Sequence, residues 1–143
     1  MQLTLFTDYA LRSLMFLAAH PDRISSVKEI AEHYGISRNH LVKVVHKLAQ
    51  LDYIESSKGK GGGIRLARDA KNIKLGDLIK HLEPMKIVEC FDNQTNTCRM
   101  TNSCQLKHYL YEAGQSFITT INKYTLADTV KDRSFFLAQQ TKS

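Results

Sequence analysis

The chain has 143 residues, 43% hydrophobic and 24% charged, the balance of a soluble globular protein and not of a disordered chain. Two prolines and seven glycines exclude collagen-like or Pro-rich architecture. No apolar run approaches the ~20 residues that cross a bilayer, and Asp8 and Arg12 interrupt the stretch a secretory signal would need. Lys and Arg outnumber Asp and Glu by 20 to 14, for a net charge of +6. Between Arg38 and Arg68 there are seven basic residues and only two acidic ones, a local excess that attracts a polyanion.

Phe6, Ala10, Leu14 and Leu17 recur at helical spacing and predict a first helix over 4–20, which Pro21 ends. Asp8 and Arg12 lie four apart on its polar side. Ser26 and Glu29 read as a capping box. The short helix after it is expected to bury Val27, Ile30, Ala31 and Tyr34. Gly35 breaks that helix, Ile36 turns inward and Ser37 caps a third helix. The third helix buries Leu41, Val44, Val45 and Leu48 and presents Asn39, Lys43, His46, Lys47 and Gln50. A strand over 53–57, a glycine-rich turn over 58–63 and a return strand over 64–66 form a hairpin. Leu75, Leu78, Ile79 and Leu82 predict a fourth helix, stopped by Pro84. Cys90 to Cys104 shows no period and reads as a loop. Leu106, Leu110, Ala113, Phe117 and Ile121 mark a long helix, and Thr125 with Asp128 opens a last short one.

Helix, glycine turn, capped helix and basic hairpin is the order of a winged helix-turn-helix. A recognition helix buries one stripe and offers amide, imidazole and cationic groups on the other. Its first residues enter the major groove, where Arg pairs with guanine and Asn with adenine. Here those residues are Arg38, Asn39 and His40, with Lys43 and Lys47 placed to reach phosphates. Gly61 and Gly62 in the wing allow close backbone approach, and Lys58, Lys60 and Arg65 supply charge. No GK[ST] follows the glycines, so they are not a phosphate-binding P-loop. His33, His40, His46, His81 and His108 scatter over helices without a nucleophile–base frame, which argues against an enzyme.

The three cysteines fall in one fifteen-residue window, with seven residues between Cys90 and Cys98 and five between Cys98 and Cys104. An odd count without a signal argues for a reducing compartment and for shared work on a metal or in redox chemistry. The spacing is neither the paired CxxC of a zinc ribbon nor a ferredoxin run. Three thiolates leave one metal position for another ligand: Asp92, His108, or a residue from elsewhere in a dimer. A zinc site, a thiol switch and an iron–sulfur cluster are all compatible with the residues alone.

MQLTLFTDYALRSL, YGISRNHLVKVVHKL, KGKGGGIRLA, LGDLIKHLEP, the three-cysteine loop and NKYTLADTV resemble the Rrf-type iron–sulfur winged-helix regulators from Met1 to about Val130. Within them the chain is most similar to the nitric-oxide-sensing repressors. The resemblance implies a cytoplasmic homodimer and an iron–sulfur cluster, 4Fe–4S before 2Fe–2S, on Cys90, Cys98 and Cys104. It also implies a fourth ligand from an aspartate near the partner's N-terminus, a motif position that Asp8 holds here. A sibling group with a histidine three residues after the last cysteine fits less well, because Lys107 stands there and His108 follows it.

The expected architecture is mainly α with a small β-wing. A winged helix-turn-helix domain is expected over 1–84, a cluster-binding loop over 85–105, and a dimerisation helix with its tail over 106–143. The expected function is a nitric-oxide-sensitive repressor on palindromic operator DNA. The alternative is a related iron–sulfur or thiol/zinc redox regulator with another signal.

Overall fold

A computed structural model describes residues 1–138. Helices α1 (Leu5–Ala19), α2 (Val27–Tyr34) and α3 (Arg38–Gln50) precede the hairpin β1 (Ile54–Ser57) and β2 (Gly63–Leu66). Then come α4 (Leu75–Leu82), the cysteine loop, α5 (Gln105–Ile121) and α6 (Ser134–Ala138). The architecture is the mainly helical winged helix-turn-helix that the sequence predicts.

Local chemistry sets the helix starts. The side chains of Thr4, Ser26 and Ser37 accept from the backbone N–H three residues on, at 3.3, 3.0 and 3.4 Å. Gly35 ends α2 in the left-handed conformation, φ 67°. β1 and β2 pair antiparallel with Glu55 opposite Arg65. Ser25 adds a one-residue bridge to Ile64, with both N–H···O bonds made at 2.9 and 2.7 Å. Leu14, Ile30, Leu41, Leu48, Tyr53, Ile73 and Leu78 are fully buried in one core. Each apolar side chain so buried contributes about 1.5–3 kcal/mol before entropy.

Residues after α5 return to this core. Lys74 and Thr125 form an antiparallel bridge, and Leu126 N–H donates to the Ile73 carbonyl at 2.8 Å. Leu126 and Val130 are buried in the same cluster as α1. Asn122 Oδ1 accepts from Asp77 N–H at 2.9 Å. Gly76 permits that contact, since a Cβ there would lie 2.6 Å from Asn122.

Several local expectations differ. Ser26 caps α2, and Glu29, its expected box partner, also accepts from Arg23 at both carboxylate oxygens. That bond holds the Glu29 carboxyl below its usual range. Val27, Tyr34 and Ile36 are half-buried, not core. The Thr125–Asp128 box is present but opens a 3-10 turn. The cysteine loop holds two further 3-10 turns, Glu89–Phe91 and Thr101–Ser103.

Candidate nucleic-acid interface and cysteine loop

The recognition helix α3 buries Leu41, Val44, Val45 and Leu48 against α1 and α2 and leaves its other face in solvent. Arg38, Asn39, Lys43, His46 and Lys47 are exposed on it. His40 is not free to read bases in the same way. It is half-buried, and the Tyr9 ring of α1 meets it edge-on at 4.9 Å between centroids. Val42 is 49% exposed on the same face. An apolar side chain there suits a thymine methyl. Its spacing from Asn39 and His46 was the available signal.

In the wing, Lys58 and Lys60 are exposed at the turn. Arg65 is already paired across the hairpin with Glu55 at 3.2 Å, both ends exposed, so a phosphate must compete with that carboxylate. The glycines answer to the hairpin itself. Gly61 has φ 80°, and a Cβ on Gly62 would lie 2.3 Å from the Ser57 carbonyl oxygen. Arg68 lies over the Tyr53 ring at 4.3 Å and donates to the Asp52 and Leu51 carbonyls, which fixes the end of α3 to the wing base.

The three cysteines are free thiols in three settings. Cys90 is buried in the first 3-10 turn, Cys98 is exposed, and Cys104 is half-buried at the N-cap position of α5. Among the described residues, no group of three or more His, Cys, Asp or Glu side chains stands close enough to hold a metal ion. Cys90, Cys98, Cys104 and Asp8 are therefore not gathered into one centre within a single chain. The donor set still suits iron in kind, since three soft thiols leave a corner for a different ligand. Asp92 is engaged elsewhere. Its Oδ2 accepts from Lys86 Nζ at 2.7 Å and its Oδ1 from Gln94 N–H at 3.0 Å. The Lys86 ammonium holds its carboxyl below the usual range. His108 lies at a cavity of about 620 Å³ between α4, the loop and α5, together with Lys107 and Cys90.

Asp8 stands in the first turn of α1. Arg12 donates to both of its oxygens, at 3.1 and 2.8 Å. The Arg12 guanidinium lies 5.6 Å from the Tyr9 ring centroid, and Tyr9 is the ring that meets His40. The head of α1 is tied to the residue just before Pro84. Glu83 Oε2 accepts from Thr4 N–H, Thr4 Oγ1 and Thr7 Oγ1 at 3.1, 3.0 and 2.6 Å.

On α5, Gly114 and Ile118 are buried, and a Cβ on Gly114 would sit 3.1 Å from Ile87. Leu106 and Ala113 are exposed and Leu110 and Phe117 half-buried, while Ile121 packs on the core. The expected apolar face is thus divided between this chain's own core and solvent. Tyr109, 62% exposed, adds to the open part.

A capped reading helix, a basic wing tied to its far end, and a thiol loop joined to a half-exposed helix define a winged-helix DNA-binding regulator. The profile of the Rrf2 family, iron-dependent transcriptional regulators, matches residues 3–132, and the chain belongs to that family. It is a transcriptional repressor and not an enzyme. The HTH-type transcriptional regulator NsrR of Bacillus subtilis is 48% identical over 135 residues, 93% of this chain and 92% of that protein. Among solved structures, T. potens IscR is 26% identical with a TM-score of 0.73, covering 92% of this chain and 88% of that one. CymR, the global cysteine regulator of B. subtilis, is 23% identical with a TM-score of 0.72 over 90% of this chain and 95% of that one, a likeness of fold.

Proposed function

We propose that the chain acts as a homodimer on a palindromic operator in the cytoplasm and is released from it by nitric oxide. The sensor is an iron–sulfur cluster, 4Fe–4S before 2Fe–2S, held by Cys90, Cys98 and Cys104 of one protomer and Asp8 of the partner subunit. The observation that carries this reading is the run of contacts from Asp8 through Arg12 and Tyr9 to His40. The likeness to NsrR supports the signal, and the open apolar strip on α5 supports the dimer. No helix among the described residues is long and apolar enough to cross a membrane.

Cys90, Cys98 and Cys104, with the partner subunit's Asp8, would hold the cluster, which would supply iron able to bind nitric oxide. The chain's own part is an exchange at Asp8. Its carboxylate serves either as a ligand across the dimer or as the partner of Arg12, and it cannot fully serve both. In the second state Arg12 is drawn to Asp8 and stacks beside Tyr9, whose ring bears on the head of the recognition helix. A coupling of about 3 kcal/mol through this path would change operator affinity about 150-fold.

Anaerobic purification followed by iron, sulfide and absorbance measurement, with operator binding before and after nitric oxide, tests the reading. Asp8→Ala should take up a cluster with an altered spectrum and release the operator less in response to nitric oxide. Cys90→Ala, Cys98→Ala or Cys104→Ala should lose the cluster outright. A chain that carries zinc, or only responds to thiol oxidants, would support the redox regulator instead. A loaded structure with Asp8 more than ~4 Å from every iron would remove it as a ligand.

A further inference from the structure

The most exposed thiol lies in the most heavily hydrogen-bonded part of its loop. Glu89, just before Cys90, and Thr97, just before Cys98, are joined directly. Glu89 Oε1 accepts from Thr97 N–H at 3.1 Å and from Thr97 Oγ1 at 2.7 Å. Cys98 itself is held on both sides by side chains. Its N–H donates to Asn96 Oδ1 at 2.9 Å, and its carbonyl accepts from Thr101 Oγ1 at 2.8 Å. Asn96 Nδ2 closes the ring by donating to Thr101 Oγ1 at 2.7 Å. These are bonds of a fixed shape, in a stretch that no apolar core supports.

We infer that Glu89, Asn96 and Thr101 are positioning residues that hold Cys98 at a set distance and direction from Cys90. The frame does for the exposed thiol what burial does for Cys90. Seven residues of free chain between two cysteines would let their separation vary widely, whereas a clamp joining 89 to 97 closes that segment to a small ring. Fewer loop states then compete with the one that presents two thiolates to a shared partner, so their effective concentration rises. The carboxylate matters as an acceptor. An amide oxygen at the same place retains the bond to Thr97 at lower strength.

The inference rests on the loop being a metal centre, yet its first test needs no metal. In cluster-free protein, the equilibrium constant for forming the Cys90–Cys98 disulfide against a dithiothreitol redox buffer measures that effective concentration. The two thiols are oxidised as the oxidised buffer compound is reduced. Cys104→Ala serves as the common background. Glu89→Ala and Thr101→Val should each lower the constant by about three- to tenfold, the range for losing hydrogen bonds at an exposed charged or polar pair, and Glu89→Gln should recover most of it. Iron retained by the full three-cysteine chain under a chelator should follow the same order, with a changed visible circular dichroism band in Glu89→Ala. Constants equal to wild type in both Glu89→Ala and Thr101→Val would overturn the inference. A lowered constant in a chain whose wild type takes up no iron would keep the frame and sink the proposed function.

Discussion

The reading half and the cysteine loop are stabilised by different physics. In the first, Leu41, Val44 and Leu48 of α3 share one core with Leu14 of α1, Ile64 of the wing and Leu126 from beyond α5. The recognition helix cannot shift without disturbing that packing. In the second, Glu89, Asp92, Asn96 and Thr101 hold the loop through polar bonds to backbone and to one another, several of them in solvent. Such bonds are individually modest, and each can be lost without disturbing a packed core. A reader fixed by packing joined to a loop fixed by a few directional bonds is the division a sensor needs. The joint between them is α1, fixed to the reader by its core face, to the loop's approach by Glu83, and open at Asp8.

The largest effect should come from removing the surface that neither half buries. Leu106→Glu with Ala113→Glu places two charges on the exposed strip of α5 without entering the chain's core. The expected result is a folded monomer with operator affinity at least about a hundredfold weaker, since one half-site alone remains. Light scattering and operator titration check it, and an unchanged dimer would show that α5 meets its partner elsewhere. A smaller loss should follow within the reader. Arg38→Ala should cost about 1–3 kcal/mol and relax preference at one base position. His40→Ala should instead act through Tyr9, weakening operator and non-specific DNA together. Equal base preference in both variants would break the distinction drawn between them.

How far the sequence disclosed these two halves follows from the same contrast. Period and capping residues located α1 to α4 and the hairpin because buried stripes and turn glycines leave direct marks, as at Leu41, Val44, Leu48 and Gly35. The burial of Leu126 and Val130 against α1 left none, since a short 3-10 turn has too few residues to show a period. Glu29 reads as a capping partner, but its second partner, Arg23 six residues upstream, leaves no mark in the spacing. His40 and Arg65 belong by type to a DNA-reading set. Tyr9 and Glu55 engage them through contacts that spacing along one element does not reveal. In the loop, the cysteines announced themselves by type and clustering. The bonds from Glu89 to Thr97 and from Asn96 to Cys98 did not, because Asn, Thr and Glu in a loop fit many arrangements equally well.

The wing separates fixed charges from engaged ones. Lys58→Ala and Lys60→Ala should each flatten the log–log salt dependence of binding by about 0.9 per lost phosphate contact, for any DNA sequence. Arg65→Ala should do less, because Glu55 already neutralises that guanidinium in the free protein. Titrations across a salt series measure all three, and an Arg65 slope change as large as that of the lysines would show that DNA displaces Glu55 completely.

The smallest expected effect tests whether the reading half is as insensitive to its surroundings as its core suggests. His33 of α2 packs among Phe16, Tyr34, Phe135 and Phe136, with ring centroids 4.7 to 6.2 Å away. Its Nε2 is buried with no hydrogen-bond partner among the described residues. Burial, and then the charge of His20, push its pKa below the ordinary 6.5, while Glu29 pulls the other way. Below that ordinary value the unfolded chain binds the proton more readily than the folded one. The stability of the neutral ring is therefore complete above pH 6.5 and is lost as pH falls through the lowered folded value. His33→Phe keeps an aromatic ring and removes the proton site. Urea midpoints of wild type should drop between about pH 7 and pH 5, and those of His33→Phe should drop less over the same interval. Because Phe135 and Phe136 belong to α6, the same titration should loosen that helix first, read as lower amide-exchange protection factors at 134–138 in wild type at low pH than in His33→Phe. Parallel stability curves for the two proteins would place the acid sensitivity elsewhere.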